Sequence, residues 1–176
     1  MRVMRTRQAH PDDASAVAAV YVTSWRAAFA GLVPQGYLDA MDLGREEVEW
    51  KARITSARWP ASGVLVAETG RGIVGCAGFG PAEGSPADVA EIGTLYALPE
   101  AWGTGTGKQL MRATLETLEE AGYRQATLWV LEDNTRARRF YEAGDWHPDG
   151  TAVTDTTGGA SLNKLRYGRV LGAVTD

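Results

Sequence analysis

Between Leu95 and Leu110 the chain reads Leu95-Tyr96-Ala97-Leu98-Pro99-Glu100-Ala101-Trp102-Gly103-Thr104-Gly105-Thr106-Gly107-Lys108-Gln109-Leu110. An apolar run stops at Pro99, and glycines at alternate positions then open a second periodic segment. Glycine adopts positive φ at no steric cost and lets backbone N–H groups approach a ligand closely. A helix starting behind such a turn adds about half a positive charge and four unpaired donors. Together these suit a phosphate or pyrophosphate. Spacing argues against two familiar nucleotide sites. A Walker loop needs a glycine five residues before Gly107, where Trp102 stands, and Ser or Thr after Lys108, where Gln109 stands. A dinucleotide fingerprint reads G-x-G-x-x-G near the start of a βαβ unit, whereas this segment is G-x-G-x-G, late in the chain. The same glycines would also serve a tight turn with no ligand.

Other residues carry potential chemistry. Tyr141 follows Phe140 on a short apolar-faced segment, where a tyrosine can be either core or a proton donor. Glu91 lies early on the run leading to the glycine turn and Glu68 ends an earlier one; each is either a solvated strand carboxylate or a base. Asn134 directly precedes a helical stretch, as an N-cap does. Trp25, Phe29, Tyr37 and Trp50 could wall a site for a cationic or flat group, or be core. His10 and His147 are isolated beside Pro11 and Pro148, and Cys76 is the only cysteine, so neither a metal site nor an internal disulfide is expected.

The elements that must position these residues follow from periodicity. A helix is expected from a cap at Asp12 or Asp13 through Val17, Val20, Tyr21, Ser24, Trp25 and Ala28. A second runs from about Gln35 to Ser56, broken around Gly44. Val64–Glu68 and Ile73–Phe79 read as a hairpin, and Val89–Leu98 as a third strand. A helix from Gly107 carries Leu110, Met111, Thr114, Leu115 and Leu118 on one face, ending at Gly122. Strand Ala126–Leu131, helix Thr135–Ala143 and a final strand from Ser161 to about Leu171 complete one mixed α/β domain over residues 1–176. The chain's 176 residues, 44% apolar and 23% charged, suit one globular domain. A net charge of −4 with no basic run argues against nucleic acid. The absence of a long apolar run argues against a membrane span, and a cytoplasmic location is expected.

Leu95–Pro99 followed by Trp102-Gly103-Thr104-Gly105-Thr106-Gly107 resembles the pyrophosphate motif of the GCN5-related N-acetyltransferase superfamily, [RQ]-x-x-G-x-[GA], with Trp102 where Arg or Gln is usual. Asn134, Ala137, Phe140, Tyr141, Glu142 and, one position early, Gly144 are similar to that family's second segment, N-x-x-A-x-x-F-Y-E-x-x-G. Ser24 to Pro34 resembles one branch of it. The resemblance implies a mostly antiparallel sheet, splayed where the cofactor enters, with helices on both faces. It implies acetyl-CoA held by Tyr96, Ala97, Leu98, Trp102, Gly103, Thr104, Gly105, Thr106, Gly107, Lys108 and Asn134. It also implies acetyl transfer to a primary amine by direct attack, with Tyr141 as general acid, Glu91 as base and an N–H of Ala97 or Leu98 at the oxyanion. No metal is needed, and a homodimer is compatible. The alternative is an acyl-CoA-binding module without turnover.

Overall fold

The computed structural model describes residues 3–172. Its strands are β1 (Arg5–Gln8), β2 (Gly63–Thr69), β3 (Gly72–Pro81), β4 (Val89–Ala97), β5 (Gln125–Leu131), β6 (His147–Thr157) and β7 (Ala160–Val170). The helices are α1 (Ala14–Ala28), α2 (Gln35–Asp39), α3 (Leu43–Ser56), α4 (Thr106–Glu120) and α5 (Thr135–Ala143). One seven-stranded sheet runs in the order β1-β2-β3-β4-β5-β7-β6, and only β4 and β5 pair in parallel. The expected mixed, mostly antiparallel sheet is present.

Alternation along the central strands divides the core between the two faces. Leu65, Ala67 and Ala77 face Leu110, Met111 and Leu118 of α4, while Val64, Val66 and Cys76 face Val17, Val20, Trp50 and Ile54 of α1 and α3. Trp50 is only 1% exposed and anchors α3 to the sheet. The expected second helix is two helices. Asp42 caps α3 by accepting from Arg45 N–H at 2.7 Å, so the break falls at Ala40–Asp42, just before Gly44. At the first helix, Asp13 occupies the N-cap position, but its carboxylate makes no cap bond there. It is gripped by the Arg7 guanidinium at 2.7 and 3.0 Å, which holds the acid below its ordinary range.

β1 and β6 were not expected from the sequence. β1 is Arg-Thr-Arg-Gln, with no apolar residue to mark it, and is fixed by pairing to β2 and by Arg7 bridging Asp13 and Glu68. β6 is an exposed edge strand containing Pro148 and Gly150, a composition typical of sheet edges and weak as a strand signal.

The feature that matters most for function lies in β4. Gly78 of β3 pairs with Thr94, but the next residue, Phe79, pairs with Ile92, so Gly93 is an extra residue on β4. A bulge bends its strand and increases the local twist. It also switches the alternation: Ala90 and Ile92 face α4, whereas Tyr96, beyond the bulge, packs on the α1 and α3 side. Gly93→Ala is expected to change stability by no more than about 0.5 kcal/mol, because a Cβ there meets nothing within 4 Å. Deleting Gly93 would turn every following side chain of β4 to the wrong face; loss of a cooperative thermal transition checks this.

Candidate active site

β4 and β5 pair only through Val89–Gln125, Ala90–Ala126 and Glu91–Thr127. Beyond Glu91 the strands part, while β5 continues along β7 as far as Leu131–Lys164. A cleft of about 660 Å³ opens in the gap, reaching from the α1 face to the α4 and α5 face. On β4, Leu98 N–H donates to Val74 O at 2.8 Å, so ladder alternation turns the backbone groups of Ala97 away from β3, toward the gap. The Ala97 carbonyl indeed accepts from Ser24 Oγ at 3.1 Å and from Trp102 Nε1 at 2.9 Å. The Ala97 N–H shares that open side. Leu95, two residues earlier, is oriented likewise.

The glycine turn closes one end. Gly103 and Gly105 have φ of +72° and +87°, with open space where a Cβ would be. Gly105 is the left-handed N-cap residue of α4, so the N–H groups of Thr106, Gly107 and Lys108 head that helix without intrahelical acceptors. A Cβ on Gly107 would come within 3.4 Å of the Phe140 ring, so this glycine allows α4 and α5 to meet closely. Thr104 and Thr106 do not line the cleft; their hydroxyls lie 2.9 Å apart, and Thr104 also donates to Ala101 O. Trp102 does the work of a brace: it donates to Ala97 and carries the Arg136 guanidinium 3.6 Å above its ring centroid. Burial alone pulls the Arg136 pKa down.

α5 lines the opposite wall. Asn134 caps it, its Oδ1 accepting from Ala137 N–H at 3.2 Å, which leaves its amide NH₂ at the cleft it lines. Tyr141 also lines the cleft, against Phe140, Trp146 and Tyr167, with ring centroids 5.5 to 6.3 Å away. Burial pushes its phenol up to about 12. Burial raises the Tyr96 phenol as well.

Of the expected site residues, Tyr96, Ala97, Trp102, Gly103, Gly105, Gly107, Lys108, Asn134 and Tyr141 therefore share one cleft. Leu98 does not line it: both of its backbone groups are committed, to Val74 O and Ala101 N. Glu91 is also apart. Opposite in alternation to Ile92, it turns away from the α4 face and lines a separate cavity of about 290 Å³ with Trp50, Arg53 and Thr94. Among the described residues, Gly93 alone borders both cavities. Glu68 is ion-paired to Arg7 at 3.2 Å on the β1–β2 edge, which lowers its pKa. Among the aromatics, Trp25 and Phe29 line the cleft, Trp50 is core, and Tyr37 packs under the β6–β7 turn, where a Cβ on Gly158 would come within 2.7 Å of it. Sequence reasoning missed Ser24 as a backbone anchor and Arg136 as a cleft cation. The helical stripe did contain Ser24, and Arg136 lies two residues past the Asn134 cap. No group of three His, Cys, Asp or Glu among the described residues could hold a metal ion.

Trp102→Phe keeps a ring beneath Arg136 but removes the bond to Ala97. It should lower unfolding free energy by about 0.5–1.5 kcal/mol in urea denaturation. An unchanged midpoint would show that Ser24 alone holds the Ala97 carbonyl.

The family model described as "Acetyltransferase (GNAT) family" matches residues 27–144. A Bacillus subtilis protein named an uncharacterized N-acetyltransferase is 31% identical over 143 residues, 80% of this chain and 79% of that one. A Mycobacterium tuberculosis protein named a "probable N-acetyltransferase" is 31% identical over 153 residues, 86% of this chain and 84% of that one. Among solved structures, a Salmonella typhimurium protein described as "a putative acetyltransferase", determined with acetyl-CoA, superposes with a TM-score of 0.73 at 18% identity, covering 99% of this chain and 97% of that one. The splayed strands, the glycine turn heading α4 and the matched sequence agree: the chain belongs to the GNAT family and is an acyl-CoA-dependent N-acetyltransferase.

Proposed function

We propose that the cleft binds acetyl-CoA and passes its acetyl group directly to a primary amine within a ternary complex. The observation that carries this reading is the gap between β4 and β5, where the free backbone edge of Leu95 and Ala97 leads to the glycine-headed N-terminus of α4. That edge offers a missing strand's pairing to an amide-bearing arm such as pantetheine. The fit at the other end is chemical: unpaired N–H groups, Lys108 and Arg136 surround space left clear at Gly103 and Gly105, which suits a pyrophosphate. The similar Salmonella structure contains acetyl-CoA, which supports the same ligand here.

Each residue then has a role in acyl transfer. The Ala97 N–H is the donor for the carbonyl oxygen as it gains charge, an effect worth a few kcal/mol. Leu98 N–H, the other expected candidate, is committed to Val74. Trp102 and Ser24 hold the Ala97 carbonyl, and so fix the direction of its N–H. Lys108, Arg136 and the head of α4 bind the phosphates. Asn134 binds through its free amide while capping α5. Tyr141 donates to the leaving sulfur. A phenol at about 12 is less acidic than an ordinary thiol near 8.5, but the same dry environment raises the thiol, which keeps the donation matched.

Two measurements test this. Tyr141→Phe should lower turnover more than tenfold, read as free thiol release, while acetyl-CoA affinity changes by less than about twofold; unchanged turnover removes Tyr141 from the mechanism. A phenol held up to about 12 stays more than about 90% protonated to pH 11. The rate should therefore show no loss of the proton donor between pH 7 and 10. An alkaline fall in that range that Tyr141→Phe removes would contradict the assignment.

A further inference from the structure

The face of the cleft opposite the glycine turn is walled by Trp25, Ala28, Phe29 and Val33 from α1 and the segment after it, with Leu131 of β5 and Leu162 of β7. Phe29, Val33 and Leu38 form a small core of their own beneath this wall. The β6–β7 turn closes it from outside, because Gly158, at φ +60°, seats directly on Tyr37. This half of the cleft is therefore largely apolar and partly aromatic, with Ser24 of α1, Thr157 of β6 and Lys164 of β7 as its polar lining.

Among the described residues, no Asp, Glu or His lines the cleft. Its titratable residues are Tyr96 on β4, Lys108 on α4, Arg136 and Tyr141 on α5, and Lys164 on β7. None of these is a carboxylate or an imidazole, and three carry basic side chains. Lys164 is paired with Asp155 of β6 at 2.9 Å. Glu132, just past β5, is exposed and accepts from Asn163 Nδ2 at 3.3 Å. Glu91, the carboxylate expected to take the amine's proton, lies in the neighbouring cavity beyond the Gly93 bulge. Among the described residues, the cleft thus offers a cationic acceptor no carboxylate to pair with and no carboxylate or imidazole to deprotonate it.

Resting on the acetyl-transfer reading above, we propose that the acceptor is a weakly basic amine on an apolar or aromatic body, bound already uncharged, and that no protein base acts on it. Two sources share this chemistry: an amino group beside a carbonyl, as in an amino-acid amide, and an amino group on an aromatic ring. The step balances without a base. The neutral nitrogen attacks the thioester carbon, the N–C bond forms and the C–S bond breaks. The nitrogen gives one N–H proton to solvent water, and Tyr141, having given its proton to the departing sulfur, regains one from water, so that amine and thioester become amide and thiol. A polyamine or a lysine side chain is disfavoured by the lack of a pairing carboxylate among the described lining residues and by its small neutral fraction. At pH 7.5 an α-amine of pKa about 7.8 is roughly one-third neutral and an ε-amine of pKa about 10.4 roughly 0.1%, a difference of about 250-fold.

The test is kcat/KM for phenylalaninamide, 4-methylaniline, phenethylamine, Nα-acetyl-lysinamide and spermidine from pH 6 to 9.5, with wild type and Glu91→Gln. Acetyl-CoA binding is measured alongside by calorimetry. At pH 7.5 phenylalaninamide or 4-methylaniline should exceed phenethylamine by at least tenfold and spermidine by at least a hundredfold; which of the first two leads identifies the source. The profile for phenethylamine should rise toward that amine's own pKa and be the same in Glu91→Gln. Preference for spermidine or the lysine derivative overturns the proposal, as does an inflection that Glu91→Gln abolishes. No turnover with any amine while acetyl-CoA binds overturns this proposal alone. Failure to bind acetyl-CoA overturns the reading beneath it.

Discussion

The proposed active cleft exists because β4 leaves β5 after three paired residues. A parallel pair in the middle of a sheet normally stays hydrogen-bonded along its length, and parting it exposes backbone groups that cost about 1–3 kcal/mol each if left dry and unpaired. The fold offsets that cost locally. Gly93 inserts an extra residue that bends β4, and β5 transfers its continued pairing to β7. Ser24 and Trp102 then satisfy the Ala97 carbonyl from two sides. One N–H edge stays open between these braces, facing the gap, and the residues proposed to act in acyl transfer are arranged around it.

Charge is distributed in keeping with that gap. The chain as a whole carries −4, yet the cleft holds cations and no carboxylate. Several acids are matched by cations of the outer strands: Asp13 and Glu68 with Arg7, Asp149 with Arg166, Asp155 with Lys164. Net charge therefore says little about the site. An acidic protein can present a positive interior cleft when its few unpaired cations are gathered where a helix N-terminus already points.

Elements with strong internal periodicity were legible in the sequence. The apolar face of α4, the β2–β3 hairpin and the Asn134 cap follow from residue types within a few positions of each other. The glycine turn was legible for the same reason, since positive φ at Gly103 and Gly105 is a local demand. What escaped depends on residues far apart in the chain. β1 has no apolar signal, and Arg7 finds Glu68 only once the sheet is formed. The aim of Glu91 was hidden because a bulge at Gly93 reverses which residues share a face, and strand alternation alone predicts no bulge. The choice between Ala97 and Leu98 likewise needed the β3–β4 register. Trp102, a departure from the familiar motif, is explained by partners 5 and 34 positions away in sequence, Ala97 and Arg136.

The measurement that bears most directly on this account is a thermal-shift titration of the purified protein with acetyl-CoA, with ATP and NAD as controls. A ligand that binds only the folded state adds about 2.7 kcal/mol at 100 times its Kd. The open edge of β4 and the glycine-headed α4 predict a saturable rise in Tm with acetyl-CoA and little or none with the two nucleotides. No shift with acetyl-CoA, or a larger one with ATP, would contradict the assignment of the cleft.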